Sequence, residues 1–433
     1  MSYTVSRSSR RTAHPLFLSH AATNRRHVFR PRVVVLEDRC VPSTLTVTSS
    51  ADIATQDHTL RYAVAHAQSG DTILLTAAVR APIVLTQGEL ILSRDVTIMS
   101  VPSRTPTISG GGASRVFEVA AGAHVNLVNL NLIGGNGLAG ATAGSSPADG
   151  NGGAVLNFGA LTVDGCTLSG NAANASFGFG GAILNDNGTL TVIDSTLSGN
   201  SAANGGAIAD FGSLTVSDST LESNSAANGG AISITGSATV TDATVSNNSS
   251  VGVGGGIFCF SGSLTLSDSV VAGNSSSLGG GLVNQFGTMI VTDSVIAGNR
   301  AGVGGGGIFT FDTSSTFISR SLLQSNTAGF GGAISNAGYL QVGESLVVGN
   351  TALSASGGGI DSIGVVVIND TLFKRNRAAA FGGALSSAGV LFVSASTFVE
   401  NSAAQGGAIA NFAFLWMSAN DFHDNSPDDI LGG

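Results

Sequence analysis

One unit recurs eleven times between residues 152 and 425: a glycine pair, Ala or Gly, an aliphatic residue, an alternating apolar stretch, and a closing Asn. The second glycine of the pair is read at 153, 181, 206, 230, 256, 281, 307, 332, 359, 383 and 407. The closing residues are Asn171, Asn200, Asn224, Asn248, Asn274, Asn299, Asn326, Asn350, Asn376, Asn401 and Asn425. The period is about 25 residues. A fixed period in this range means that no unit can bury its apolar face alone, so the units must stack into a solenoid.

The stretch before each Asn never changes length. Ten and eight residues before it stand apolar pairs such as Leu190/Val192, Leu214/Val216 and Leu340/Val342. Three residues before it the side chain is apolar in all eleven units, from Leu168 to Phe422. Alternation of period two describes strands with one face inward. The glycine pair precedes a second short strand, as at Ala207-Ile208. Glycine supplies the positive φ and close backbone approach that tight corners need. The expected fold is therefore all-β: a single right-handed parallel β-helix, three short strands per coil, with an N-terminal capping helix. The hand follows from the crossover rule. Eleven coils at strand spacing extend about 50 Å. The closing Asn is expected to point inward and form a stacked amide ladder.

Four segments are expected: a basic N-terminal segment (1–44), a cap with the first coils (45–133), a Gly/Ala/Ser-rich loop (134–151) and the eleven-repeat β-helix (152–433). In the cap, Leu60, Ala63, Val64 and Ala67 carry helical spacing, with Asp57 read as N-cap and Gly70 as the stop. Such a helix would cover the open end of the stack, where unpaired strand edges invite aggregation. Strands are expected at 71–75, 82–85, 89–92, 96–99, 115–119 and 125–132.

Charge is segregated. Residues 1–39 hold eight Arg and two acids, for +6, whereas the remainder carries 10 basic and 25 acidic residues, for −15. An acidic rod is a poor nucleic-acid binder, since phosphate contacts need Lys and Arg. No apolar run reaches the length of a transmembrane helix. Cys40, Cys166 and Cys259 are too few and too scattered for a disulfide framework; the last two are expected to be buried as small apolar residues.

Three stretches carry resemblances. Residues 32–39, RVVVLEDR, with Val41-Pro42-Ser43, resemble the LEDR-x-x-P-S segment that opens many large bacterial extracellular repeat proteins, which implies export and loss of the leader. Residues 59–75, TLRYAVAHAQSGDTILL, resemble the TLREAI-type start of exported β-helix proteins, with Tyr62 in place of the Glu. The units GGAI…TLSGN, GGAI…TLESN and GGAL…STFVEN resemble the GGA[ILV] and FxxN repeats of polymorphic outer membrane proteins, over 152–425. The Phe of FxxN is present at Phe373, Phe398 and Phe422. This resemblance implies a right-handed β-helix at a cell surface or secreted, often adhesive. The family's C-terminal membrane barrel has no counterpart here, so that mode of anchoring is not expected.

Six residues before each closing Asn runs a charged row: Asp194, Asp218, Asp242, Asp268, Asp293, Arg320, Glu344 and Asp370, then Ala395 and Ala419. Stacked carboxylates repel unless turned outward, hydrogen-bonded or bridged by a cation. The plainer reading is that each Asp closes an Asx-type turn. The other is a weak Ca²⁺ row along Asp194, Asp218, Asp242, Asp268 and Asp293. Asp293, Arg320, Glu344 and Asp370 form the single mixed-charge patch, of the kind β-helix polysaccharide lyases and hydrolases use; they are the catalytic candidates if the chain is an enzyme. No cofactor is expected beyond that Ca²⁺ row. Four longer loops, at 172–180, 249–255, 300–306 and 351–358, are expected on one face, where solenoids place insertions for binding. Phe158, Phe179, Phe211, Phe286, Phe330, Phe381 and Phe412 flank the corners, as shields or as sugar-stacking rings. The expectation is an exported, extracellular or cell-surface β-helix that is adhesive rather than catalytic, its partner a polysaccharide or a surface protein. The alternatives are a polysaccharide lyase or hydrolase and a passive spacer of the cell envelope.

Overall fold

The computed structural model describes residues 42–138, 149–174 and 176–432. The export-like segment, except Pro42 and Ser43, lies outside the described residues, as do Cys40 and positions 139–148 of the Gly/Ala/Ser-rich loop. The chain divides into Met1–Arg39 and Cys40–Gly433, and the second unit is the solenoid.

Every strand pairing in it is parallel and joins a strand to its equivalent one coil away. The long sheet stacks 15 strands, mostly of five residues, from Thr44–Val47 to Phe414–Ser418. The asparagine sheet, which leads into each closing Asn, stacks 14 strands from Ile83–Val84 to Asp421–His423. The glycine sheet, which follows each Gly pair, stacks 14 from Leu90–Leu92 to Ile430–Leu431. The stack is unbroken across the Gly/Ala/Ser-rich loop, because Ala160–Asp164 pairs with His124–Val128 on one side and Thr189–Ile193 on the other.

Three strands per coil is an undercount for the middle of the stack. A fourth sheet of seven strands runs from Ser225–Asn228 to Arg377–Ala378, between closing Asn and glycine pair. Two of the expected loops are therefore strands over much of their length, Ser249–Val253 and Arg300–Gly304, and their extra residues are absorbed as bulges. The expected strand at 125–132 is two strands, His124–Val128 and Asn131–Ile133, split where Asn129 takes φ 59°.

The glycine motif follows from two different constraints. Gly205 has φ +65°, while a Cβ on Gly206 would collide with the carbonyl oxygen of Gly230 in the next coil. That second constraint corrects the register of four units. Ile232, Ile257, Leu282 and Ile308 are partners, so Gly256, Gly281 and Gly307 stand in the Ala position, and the constrained pairs are 254–255, 279–280 and 305–306. The same holds for Gly359 beside Ile360. A glycine triplet offers two frames, and only the pairing chooses.

The inward residues of the three main sheets form one continuous core, including Leu190, Val192, Leu197 and Ile208. Full burial of each Leu stabilises by about 2 kcal/mol. Phe373, Phe398 and Phe422 stack inside it with centroids 5.0 Å apart at each step. The capping helix is Leu60–His66, with Thr59 as N-cap in place of the expected Asp57: its hydroxyl accepts from the Tyr62 amide. Its buried face, Leu60 and Ala63, lies against Thr44–Val47, Asp71–Leu75 and Leu90–Leu92. Arg61 anchors it, donating to Asp52 at 2.5 and 3.2 Å and to the carbonyl of Gly88 at 2.5 Å.

Candidate functional site

Eleven closing Asn side chains run through the wall of the stack as an amide ladder. From Asn171 to Asn401, each Nδ2 donates to the Oδ1 of the next, at 3.0 Å for Asn200 to Asn224 and 2.9 Å for Asn350 to Asn376. The backbone N–H of each rung donates to the same Oδ1, and Nδ2 also donates to a carbonyl in the preceding coil, as from Asn299 to Val271 at 2.9 Å. Asp429 ends the ladder by accepting from Asn425 at 3.0 Å. A second, interrupted ladder lies in the glycine sheet, where Asn157 donates to Asn185 at 2.7 Å and Asn185 to Asp210 at 2.6 Å. The next rung is Ile234, so one oxygen of Asp210 is buried without a partner. Burial raises the Asp210 pKa above the usual carboxylate range, against the pull of Asn185 and the Gly212 amide.

The charged row lies on the corner between the long and asparagine sheets. All ten residues from Asp194 to Ala419 have positive φ, from 47° to 54°. Asp tolerates this region better than most side chains, which accounts for its frequency there. The Asx-turn reading is replaced by a different closure. The next residue is a buried Ser in most coils, whose hydroxyl donates to the carbonyl two residues back, at 2.7 Å for Ser195 to Ile193 and Ser294 to Thr292. The same hydroxyl accepts an amide from the preceding coil, as from Ser195 to Ser219 at 3.1 Å. Cys166 is a rung of this serine column, its thiol directed at the carbonyls of Leu127 and Asp164, both at 3.3 Å. Burial pushes both the Cys166 and Cys259 thiols up to about 11.

The row's side chains are exposed. Arg320 bridges to Asp293 through two bonds of 2.9 and 2.6 Å, which hold the Asp293 carboxyl below its usual range. Glu344 acts on Arg320 only through its charge, and Asp370 is not drawn into the pair. Among the described residues, no three His, Cys, Asp or Glu side chains converge as a metal site. Asp194, Asp218, Asp242, Asp268 and Asp293 instead follow one another singly, one per coil.

A second positive-φ row stands immediately before the buried Asn: Gly170, Gly199, Ser223, Asn247, Gly273, Gly298, Ser325, Gly349, Arg375, Glu400 and Asp424. Glycine at five of these eleven positions was its sequence signal. Here Arg375 pairs with Glu400 across adjacent coils.

The outer faces of two sheets change character along the stack, a feature visible only once the register is known. The central outward column of the long sheet reads Thr162, Thr191, Thr215, Thr239 and Thr265, then Ile290, Phe317, Gln341, Val367, Phe392 and Trp416. Trp416 is 48% exposed and its neighbour Phe414 52%. Phe317 meets Tyr339 at 5.7 Å, and Phe392 meets Phe414 at 5.6 Å and Trp416 at 6.4 Å. The asparagine sheet changes from Thr167, Thr196, Thr220 and Thr244 to Val270, Val295, Leu322, Leu346 and Leu372, and returns to Thr397 and Asp421 in the last two coils. The corner aromatics divide. Phe158, Phe179 and Phe211 shield Leu156, Leu184 and Ala209 on the outside of the glycine sheet, whereas Phe286 and Phe412 are more than half exposed, at 51% and 55%.

Two further carboxyl environments lie away from the charged row. Asp361 lies between Ser335 and Ser386 in the glycine sheet, and burial raises its pKa to about 6 against a hydrogen bond from Ser386. In the first coils, the buried Arg115 reaches Glu89 at 2.5 Å and Glu118 at 3.6 Å. It also donates to the carbonyls of Gly137 and Asn151, gathering the two ends of the Gly/Ala/Ser-rich loop.

No protein-family model matches the sequence, and no curated protein matches it. Among solved structures the chain is similar to PfbA, a surface adhesin of Streptococcus pneumoniae, at 8% identity and a TM-score of 0.32, over 83% of this chain and 85% of that one. The class of the present chain, a parallel β-helix, rests on its own strand pairing. No described helix is long and apolar enough to cross a membrane.

Proposed function

We propose that this chain is an exported rod of the cell surface or extracellular matrix that binds partners along its side. The observation that carries this reading is the change of the outer faces from hydroxyl columns to aliphatic and aromatic ones, with Trp416, Phe414 and Leu346 all exposed. Contiguous apolar surface on a soluble fold marks a contact site, because leaving it in water is costly. Two resemblances support the setting: the LEDR-type segment for export, and the GGA[ILV]/FxxN repeats for a surface β-helix of adhesive type.

A carbohydrate-active enzyme is the second reading, favoured by Asp361, whose pKa of about 6 suits a general acid. The corner patch suits that role less well, since Asp293 is committed to Arg320 and held below its usual range. The test is protease shaving of intact cells producing the full chain, followed by incubation of the purified protein with polysaccharides and assay of new reducing ends. Surface exposure without cleavage is expected. Retention inside the cell would overturn the export reading, and cleavage abolished by Asp361→Asn would replace adhesion by catalysis.

A further inference from the structure

We infer that the outer face of the long sheet over its last six coils is a binding platform for a neutral, linear polysaccharide, an inference that rests on the side-binding reading above. The platform runs from the strand Thr288–Thr292 to the strand Phe414–Ser418. Five coil steps give it a length of about 24 Å, and three outward positions per strand a width of about 13 Å.

Three observations select the occupant. The first is ring placement. Phe317 with Tyr339, and Phe392 with Phe414 and Trp416, form two clusters on adjacent coils along the direction of stacking. The rings within each cluster are tilted to one another, and the ring-free coil of Val365 and Val367 separates the clusters, so they offer two aromatic contact points along the line of a repeating ligand. The second is the mixed chemistry of the face. Ser315 and Ser319 flank Phe317, and Ser394 follows Phe392. A sugar ring has the complementary surface, with C–H faces for the aromatic rings and hydroxyls for the flanking side chains. A hydrophobic protein partner would leave the Ser315 and Ser319 hydroxyls unpaired, at a cost, whereas Ser394 already donates to the Ile368 carbonyl.

The third is charge. None of the outward positions of these six strands is Asp, Glu, Lys or Arg. The rest of the chain beyond residue 39 carries 10 basic and 25 acidic residues. An anionic polymer approaching the face would meet acidic surroundings, and Arg320 at its edge is already paired with Asp293. An uncharged one faces no such barrier. An open face, as opposed to a pocket, accommodates a chain of many units, where weak contacts per unit add along its length.

The experiment is affinity electrophoresis of the full-length protein through gels containing a neutral β-glucan, a neutral mannan or alginate. It is repeated with Phe392→Ala, with Trp416→Ala and, on the hydroxyl half of the same face, with Thr215→Ala. Thermal melts confirm that each variant folds, and sedimentation gives its mass. Retardation by a neutral glycan is expected, weakened roughly tenfold by each aromatic substitution and unchanged by Thr215→Ala. Three outcomes overturn the inference: retardation by alginate alone, retardation by neutral glycan that survives both aromatic substitutions, or no retardation by any neutral glycan. If the aromatic variants instead lower the sedimenting mass, the face joins two copies of the chain and the inference also fails. A protein that ignores all glycans but still binds cell-surface protein keeps the side-binding reading while losing this one.

Discussion

Substituting one interior rung of the asparagine ladder tests the central energetic claim about the stack. Asn299 is fully buried, and Asn299→Ala removes four side-chain hydrogen bonds. Two donors on Asn274, its N–H at 2.9 Å and its Nδ2 at 3.0 Å, lose their acceptor. The Val271 carbonyl loses one donor but keeps its place in the strand ladder with the next coil. Asn326 Oδ1 keeps the Asn299 backbone N–H, at 3.0 Å. Two buried donors are thus stranded, each costing about 1–3 kcal/mol, so the expected loss is roughly 2–6 kcal/mol.

Asn425→Ala, at the partly exposed last rung, is the control, where water replaces the lost partners and about 1 kcal/mol is expected. Urea denaturation followed by circular dichroism measures both. Hydrogen exchange at the Asn274 and Arg300 amides shows whether the loss is local, since each coil couples only to its neighbours. Asn299→Asp adds a check by pH. The introduced carboxylate still accepts from Asn274 but faces the oxygens of Val271 and Asn326 with no proton to offer. Its folded pKa is therefore raised, and the variant should be most stable in acid and lose stability as pH rises. The reasoning is refuted if Asn299→Ala costs no more than Asn425→Ala.

Asp361→Asn should stabilise the fold at neutral pH. The gap between 3.8 and about 6 corresponds to at most about 3 kcal/mol. A raised folded pKa favours the fold below the unfolded pKa and penalises it as pH climbs through the folded one, so the gain should vanish near pH ~4, as thermal melts across pH will show. Gly206→Ala should cost about 3 kcal/mol or more, because its Cβ would meet the Gly230 carbonyl, whereas Ala395→Gly should gain up to about 1 kcal/mol by relieving φ 49°; chemical denaturation of both separates lack of room from backbone strain. Cys166 and Cys259, buried with pKa values of about 11, should resist maleimide at pH ~8 in the native protein and react in urea; labelling of the folded chain would contradict their burial.

The sequence by itself determined the coil. A rigid count from apolar pair to Asn, a strict alternation and paired glycines leave one architecture, because only stacked neighbours can cover such a face. Sequence also marked the ladder residues, since an Asn at invariant spacing within an inward-facing run must find amide partners. It could not choose the glycine frame in Gly254-Gly255-Gly256, where either pair fits the motif and only the approach of the next coil discriminates. Nor could it assign the corner. Asp and Ser stand side by side there, and the positive φ falls on Asp218 while Ser219 turns inward to make the bond. The fourth sheet leaves no period-two apolar signal, because its strands are made of small residues and bury at most one Ala each, as Ala226, Ala301, Ala328 and Ala352 do. The candidate binding face was the least legible of all. Phe317, Phe392 and Trp416 are separated in sequence by whole coils and look like scattered aromatics. They become a surface only when stacking sets equivalent positions one strand apart, a relation that belongs to the tertiary structure.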